Sequence, residues 1–148
     1  MQTCFQGRFG EQLGSDQFGA QVMLHAPRPN EDLVVGRIEH VEFTYSGQAF
    51  RLGRYAIHFH LNGRMSGSYV RGCSVHRSFN RAVNVHGTHN LMVERNVLYD
   101  IMGGAFFLED GIETGNTFQY NLAVFVISST SLQVGGGVKI IIIIVIFT

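Results

Sequence analysis

Ala82-Val83-Asn84-Val85-His86 is answered 23 residues later by Ala105-Phe106-Phe107-Leu108-Glu109, and is preceded by 26 residues by Ala56-Ile57-His58-Phe59-His60. Cys73-Ser74-Val75 returns at the shorter step as Asn96-Val97-Leu98. Short strand-like units at a near-constant offset are the mark of a solenoid. Antiparallel sandwiches also use many short strands, so the number of strands does not discriminate; the constant offset does. It places equivalent residues on equivalent rungs and predicts an all-β, right-handed parallel β-helix, truncated and ending in an irregular tail.

Side chains alternate along a strand, which divides each unit into two faces. Ile57, Phe59, Val83, Val85, Phe106 and Leu108 are assigned to the bore. His58, His60, Asn84, His86, Phe107 and Glu109 then point outward. Rungs of a parallel stack lie about 4.8 Å apart, so His60, His86 and Glu109 form one vertical column, with Asp110 at the corner beside it.

Strand-like segments Tyr69 to Val75, Arg81 to His86, Leu91 to Leu98, Ala105 to Glu109 and Phe118 to Val126 suggest about five coils. No window holds the apolar period of a helix over three turns. Asn62 to Ser68, with Gly63 and Gly67, reads as a loop interrupting the pattern. Residues 1–33 form the lead-in or first coil. Residues 34–132 form the repeats, and residues 133–148 lie outside them. Ile140 to Phe147 is a run of eight apolar residues, too short to cross a hydrocarbon layer of about 30 Å and a strong β former. No apolar run follows Met1, which predicts that the chain carries neither a signal peptide nor a span.

The 148 residues carry 11 basic and 11 acidic side chains, with no basic stripe; nucleic acid is not an expected partner. Cys4 and Cys73 are too few for a disulfide scaffold or a thiolate zinc site. They pair only in an oxidising compartment, and a buried free thiol at Cys73 is the other reading. There is no P-loop, dinucleotide fingerprint, nucleophile elbow or Cys-x-x-Cys pair.

Three chemistries fit the polar column. It could be a ladder of hydrogen-bonded side chains. His60, His86 and Glu109 could hold a divalent cation. Glu109 or Asp110 could act as the acid of a glycoside hydrolase, with His86 as base; the next carboxylate, Glu113, lies beyond the Gly111-Ile112 turn. His25, His40, His76 and His89 are isolated in sequence and read as structural or solvent-facing. Arg71, Arg81 and Arg95 read as partners of acids such as Glu94 and Asp100. Asn96 and Asn121 read as corner asparagines bonded to backbone amides.

These same residues resemble the fibrocystin family. The matching stretches are Cys4 to Met23, His25 to Asn30, Val34 to Glu42, Gly47 to Tyr55, His58 to Leu61, Ser68 to Cys73, Arg81 to Val83 and, most specifically, Val93 to Val126. The resemblance implies a fragment of a very large, membrane-anchored, extracellular receptor-like or cell-coat protein with G8 domains and β-helix repeats. The span belongs to the parent and the β-helix serves as a non-catalytic structural or interaction module. More distantly, the His-Phe-His and Glu-Asp-Gly elements are similar to those of the cell-migration-inducing hyaluronidase family. That implies an alternative: calcium-dependent glycan cleavage with His58, His60, His86, Glu109 and Asp110 as site residues. Either way the implied setting is the outer face of the plasma membrane, with a glycan or protein as ligand.

Overall fold

The computed structural model describes residues 3–6 and 17–127. After β1 (Thr3–Gln6) come four coils of three strands each. The first has β2 (Val22–His25), β3 (Arg37–Glu39) and β4 (Val41–Thr44). The second has β5 (Ile57–Arg64), β6 (Tyr69–Arg71) and β7 (Ser74–Ser78). The third has β8 (Val83–His89), β9 (Met92–Glu94) and β10 (Val97–Met102). The fourth has β11 (Phe106–Leu108), β12 (Thr117–Gln119) and β13 (Leu122–Ile127).

Each side of the coil stacks on the same side of the next. The three sheets run β2-β5-β8-β11, β3-β6-β9-β12 and β1-β4-β7-β10-β13. Every strand-to-strand pairing is parallel, and parallel connections of this kind are right-handed. The result is the anticipated β-helix. The register reproduces the sequence offsets: Ile57 pairs with Val83 and Val83 with Phe106, while Ser74 pairs with Val97. The five coils expected are four among the described residues, because segments such as 81–86 and 91–98 are two sides of one coil.

The bore is filled as the alternation required. Ile57, Phe59, Val83, Val85 and Phe106 are buried, and Leu108 packs against them. Corners are sharp, and several depend on residues in the left-handed region. His40, Gly72, Arg95 and Tyr120 occupy one corner of successive coils, all with φ between 54° and 60°. Such backbone costs a side-chain-bearing residue roughly 1 kcal/mol; here three of the four amides are tied to the next coil, His40 N–H to Arg71 O, Gly72 N–H to Glu94 O and Arg95 N–H to Gln119 O.

The expected loop at Asn62 to Ser68 is shorter than anticipated. Asn62, Gly63 and Arg64 continue β5, with a bulge between His60 and Gly63. Asn62 is buried there and donates to Leu24 O and Thr88 Oγ1. Gly63 has φ +69, and a Cβ would collide with Asn30, so glycine is required. Only the stretch from Met65 to Ser68 turns, closed by Ser68 N–H to Met65 O.

Cys73 carries a free, buried thiol. Its pKa is pushed up by burial, against backbone contacts that pull it down. The isoleucine-rich tail and the side chain of Cys4 lie outside the described residues. Among the described residues no helix is long and apolar enough to cross a membrane.

The corner asparagines are as expected. Asn96 Oδ1 accepts from Cys73 N–H, and its Nδ2 donates to Val70 O and to Asn121 Oδ1. Asn121 repeats the pattern one coil on, accepting from Asn96 N–H and donating to Val93 O. Asn96→Ala leaves a buried amide and carbonyl unpaired, so it should cost about 2–4 kcal/mol. Urea unfolding measures this; a loss below about 1 kcal/mol would mean the ladder does not hold the coils in register.

Candidate functional site

The β2-β5-β8-β11 sheet carries the column. His25 pairs in register with His60, and His60 with His86; Glu109, whose amide donates to Val85 O, continues it. Three rungs of imidazole therefore lead to a carboxylate. His60 and His86 rings lie 4.9 Å apart at 60°, which brings their Nδ1 atoms to 3.1 Å. Glu109 Oε2 is 3.6 Å from His86 Nδ1, and Asp110 Oδ2 is 3.1 Å from His86 Nε2. The predicted group of His58, His60, His86, Glu109 and Asp110 is brought together.

Outward does not mean exposed here. His58, Asn84 and Phe107 all leave the bore yet are buried. The cover comes from a length irregularity. Ser78 to Val83 and Met102 to Phe106 are short corners, but Thr44 and Ile57 are joined by the long segment 45–56. Tyr55 at its end is fully buried and sits 4.8 Å from the His58 ring, while Gly53 O lies 2.9 Å from His58 Nδ1. Arg81 closes the face from the next coil, with its guanidinium 3.6 Å above the Phe107 ring and 4.8 Å from that of Tyr55.

Arg81 is thus not a partner of Glu94 or Asp100. Its Nη1 donates to Tyr55 Oη and Asn84 Oδ1 and lies 3.5 Å from Glu109 Oε1. Tyr55 O–H donates to Glu109 Oε1, and Asn84 Nδ2 donates to Glu109 Oε2 at 2.8 Å. Strand alternation placed Asn84 on this face but could not find Tyr55 and Arg81, which complete the network around Glu109. The signal available was the uneven coil length before Ile57. Arg71 does reach Glu94, at 3.9 Å, but its short contact is Glu39 at 2.7 Å. Arg95 lies over the Tyr120 ring.

The remaining histidines divide. His25 is not isolated: it extends the column, with its ring 5.4 Å from that of His60 and its Nδ1 2.9 Å from His60 O. His76 pairs with Glu42 at 2.8 Å and His89 with Thr114, both structural. Glu113 is buried, accepting from Gly87 N–H and Asp110 N–H; it braces the corner that presents Asp110. A groove of about 420 Å³ bordered by His40, Cys73 and Arg95 lies on another corner and shares no residue with this cluster.

The electrostatics run in one direction. Burial lowers the His58 pKa from 6.5 to about 4, against the opposing pull of the Gly53 carbonyl. Burial, then the His86 and His25 charges, lowers that of His60. Burial pushes Glu109 upward, but Asn84, Arg81, His86 and His58 together outweigh it and leave its pKa below the usual value. The lowered pKa values favour neutral rings at His58 and His60 beside an ionised Glu109. His58, His60 and His86 offer ligand atoms all within 4.8 Å of one another, a group capable of holding a divalent metal ion. Nitrogen donors do not suit calcium, which takes six to eight oxygens.

With the geometry in view, the comparisons with known proteins fall into place. The family described as "CEMIP beta-helix" matches residues 17–136. Fibrocystin-L of Mus musculus is 65% identical over 132 residues, covering 88% of this chain and 3% of that protein. Fibrocystin-L of Homo sapiens is 66% identical over the same length, with the same coverage. "Cell surface hyaluronidase CEMIP2" of Homo sapiens is 36% identical over 124 residues, 79% of this chain and 8% of that protein. The chain therefore spans only a small part of these relatives.

The His58 shift fixes a pH dependence. A pKa of about 4 in the fold against 6.5 as the ordinary value means the unfolded chain binds the extra proton in that window. The stability is complete above pH 6.5 and is lost as pH falls toward 4, by roughly 3 kcal/mol. Glu109, held low, adds loss in the same direction. NMR titration of the histidine rings checks it: His58 should remain neutral at about pH 5, and an ordinary midpoint would contradict the burial described.

Proposed function

The chain belongs to the CEMIP beta-helix family, and from that premise we propose that it is a non-catalytic interaction module within a large extracellular, membrane-anchored receptor-like protein. In this reading residues 34–132 are the repeats, 1–33 the lead-in from a G8-like region and 133–148 a tail outside the family pattern. The module sits on the outer face of the cell and binds a glycan or protein ligand through the face of His58, His60, His86 and Glu109.

One observation carries the non-catalytic reading. A glycoside hydrolase needs a carboxylic acid that is protonated near neutral pH, facing a second carboxylate. Glu109 is arranged for the opposite state. Tyr55 and Asn84 both donate to it, and the Arg81 guanidinium is 3.5 Å away; all three favour the anion. Asp110, the other candidate acid, is exposed and faces His86. A network that holds charge in place suits recognition of a polar ligand better than proton donation to a leaving group.

The hydrolase reading is the second, and it is favoured by the name of a relative 36% identical across this region, a cell surface hyaluronidase. Glu109, Asp110 and His86 would be its acid-base groups and calcium its cation. The nitrogen-rich cluster gives calcium little to bind.

Incubating hyaluronan with the chain, with and without calcium, and reading the polymer's size distribution separates the two. The module predicts unchanged length. Shortening that needs Glu109, and so disappears in Glu109→Gln, would overturn it.

A further inference from the structure

We propose that His58, His60 and His86, with Glu109 beside them, form a binding centre for a transition-metal ion of the zinc class, with Asp110 orienting His86 from outside.

The argument starts from protons. Gly53 O can only accept, so the 2.9 Å contact with His58 Nδ1 places the ring proton there. Nε2 is left with a lone pair. That atom is buried and has no hydrogen-bond partner, and the charged atom it faces is Glu109 Oε2, at 3.9 Å. A lone pair aimed at a carboxylate oxygen across a buried gap is repulsive unless something positive lies between them.

His86 follows the same logic. His86 Nε2 lies 3.1 Å from Asp110 Oδ2, so the tautomer with its proton on Nε2 turns a donor toward a carboxylate. That tautomer leaves Nδ1 with a lone pair. It faces His60 Nδ1 at 3.1 Å and Glu109 Oε2 at 3.6 Å. Three acceptor atoms from three coils converge: His58 Nε2, His86 Nδ1 and Glu109 Oε2. His60 Nδ1 stands at their edge.

The spacing suits a metal. Zinc–donor bonds of about 2.0–2.1 Å in a tetrahedron put neighbouring donors about 3.3 Å apart. The separations of 3.1, 3.6 and 3.9 Å bracket that figure, and the three imidazole ligand atoms all lie within 4.8 Å of one another. Imidazole with one carboxylate is the donor set of zinc and its neighbours, and not of calcium. The surroundings are those a metal site uses: each first ligand is held by a fixed acceptor or donor, Gly53 O for His58, Asp110 for His86 and Asn84 Nδ2 for Glu109.

The competing occupant is a proton. An imidazolium at His86, donating to Asp110 through Nε2 and to His60 through Nδ1, would satisfy that ring, but it would leave His58 Nε2 without a partner. A metal satisfies all of them together.

The proposal rests on the same face being the functional one, but its test needs no glycan. Zinc is titrated into the full chain by calorimetry, and cobalt is added as a spectroscopic substitute, with calcium as control. We expect one saturable zinc site per chain, the visible absorption of a four-coordinate cobalt ion, and no competition from calcium. Asp110→Asn, at an exposed position, should weaken binding about 10- to 100-fold, and His60→Ala, only partly buried, should weaken it at least as much. Both are checked for retained fold by circular dichroism. Absence of saturable zinc binding overturns the proposal. So does binding that survives both substitutions, which would place the ion elsewhere, such as at His25 or His89. A chain that leaves hyaluronan intact yet takes no zinc sinks this inference alone; a chain that takes zinc and shortens the polymer sinks the module reading alone.

Discussion

Backbone hydrogen bonds between parallel rungs convert chain length into geometry. Each N–H and C=O on a rung reaches the coil before or after it, so the number of residues per turn decides which side chains meet. Steps of 23 to 26 residues between paired positions bring Val83 over Ile57 and Phe106 over Val83 in the bore. The same steps bring His86 over His60 outside it. A one-residue error in register would exchange the two faces. The apolar columns, the asparagine ladder and the corner residues with positive φ all hold that register, each at a different point of the coil.

This explains which parts were legible in the sequence. Solenoids write their contacts as repeats, so the fold, the bore residues, the paired asparagines and the His60–His86–Glu109 column could all be read from offsets and alternation. The coil count failed for the same reason: short strands on different sides of one turn resemble successive turns when only their length is considered. Asn62 to Arg64 looked like a loop because of Gly63, yet the glycine accommodates a bulge against Asn30 within a strand. Alternation reports the face of a side chain and is silent on what lies over it. Hence the burial of His58 and the roles of Tyr55, Arg81 and Asn84 could not be seen.

The burial of the outward face matters more than the column itself. Exposed imidazoles and acids on a sheet would be screened by water and would interact weakly. Beneath Tyr55 and Arg81 the same groups acquire defined tautomers and fixed charge. His58 is neutral because it is desolvated, and Glu109 is anionic because Asn84, Arg81 and the histidines overcome its own desolvation. Neighbouring groups whose pKa values are pushed apart commonly mark acid–base catalysis. Here both pKa values are lowered, which leaves the groups in their ordinary neutral-pH states, as the proposed binding role requires.

The position of the site follows from where the solenoid is irregular. From Val22 to its partner Ile57 the chain advances 35 residues, against 26 and 23 for the next two steps on the same sheet. Most of the surplus lies in the segment that carries Gly53 and Tyr55, and these two residues lie against His58 of the coil that follows. A regular stack would present three bare rungs. One long step supplies both the carbonyl that sets the His58 tautomer and the phenol that holds Glu109. The covered site is therefore a property of three coils and one long step acting together: without that step the column would keep its register but lose the Gly53 and Tyr55 contacts that fix His58 and Glu109.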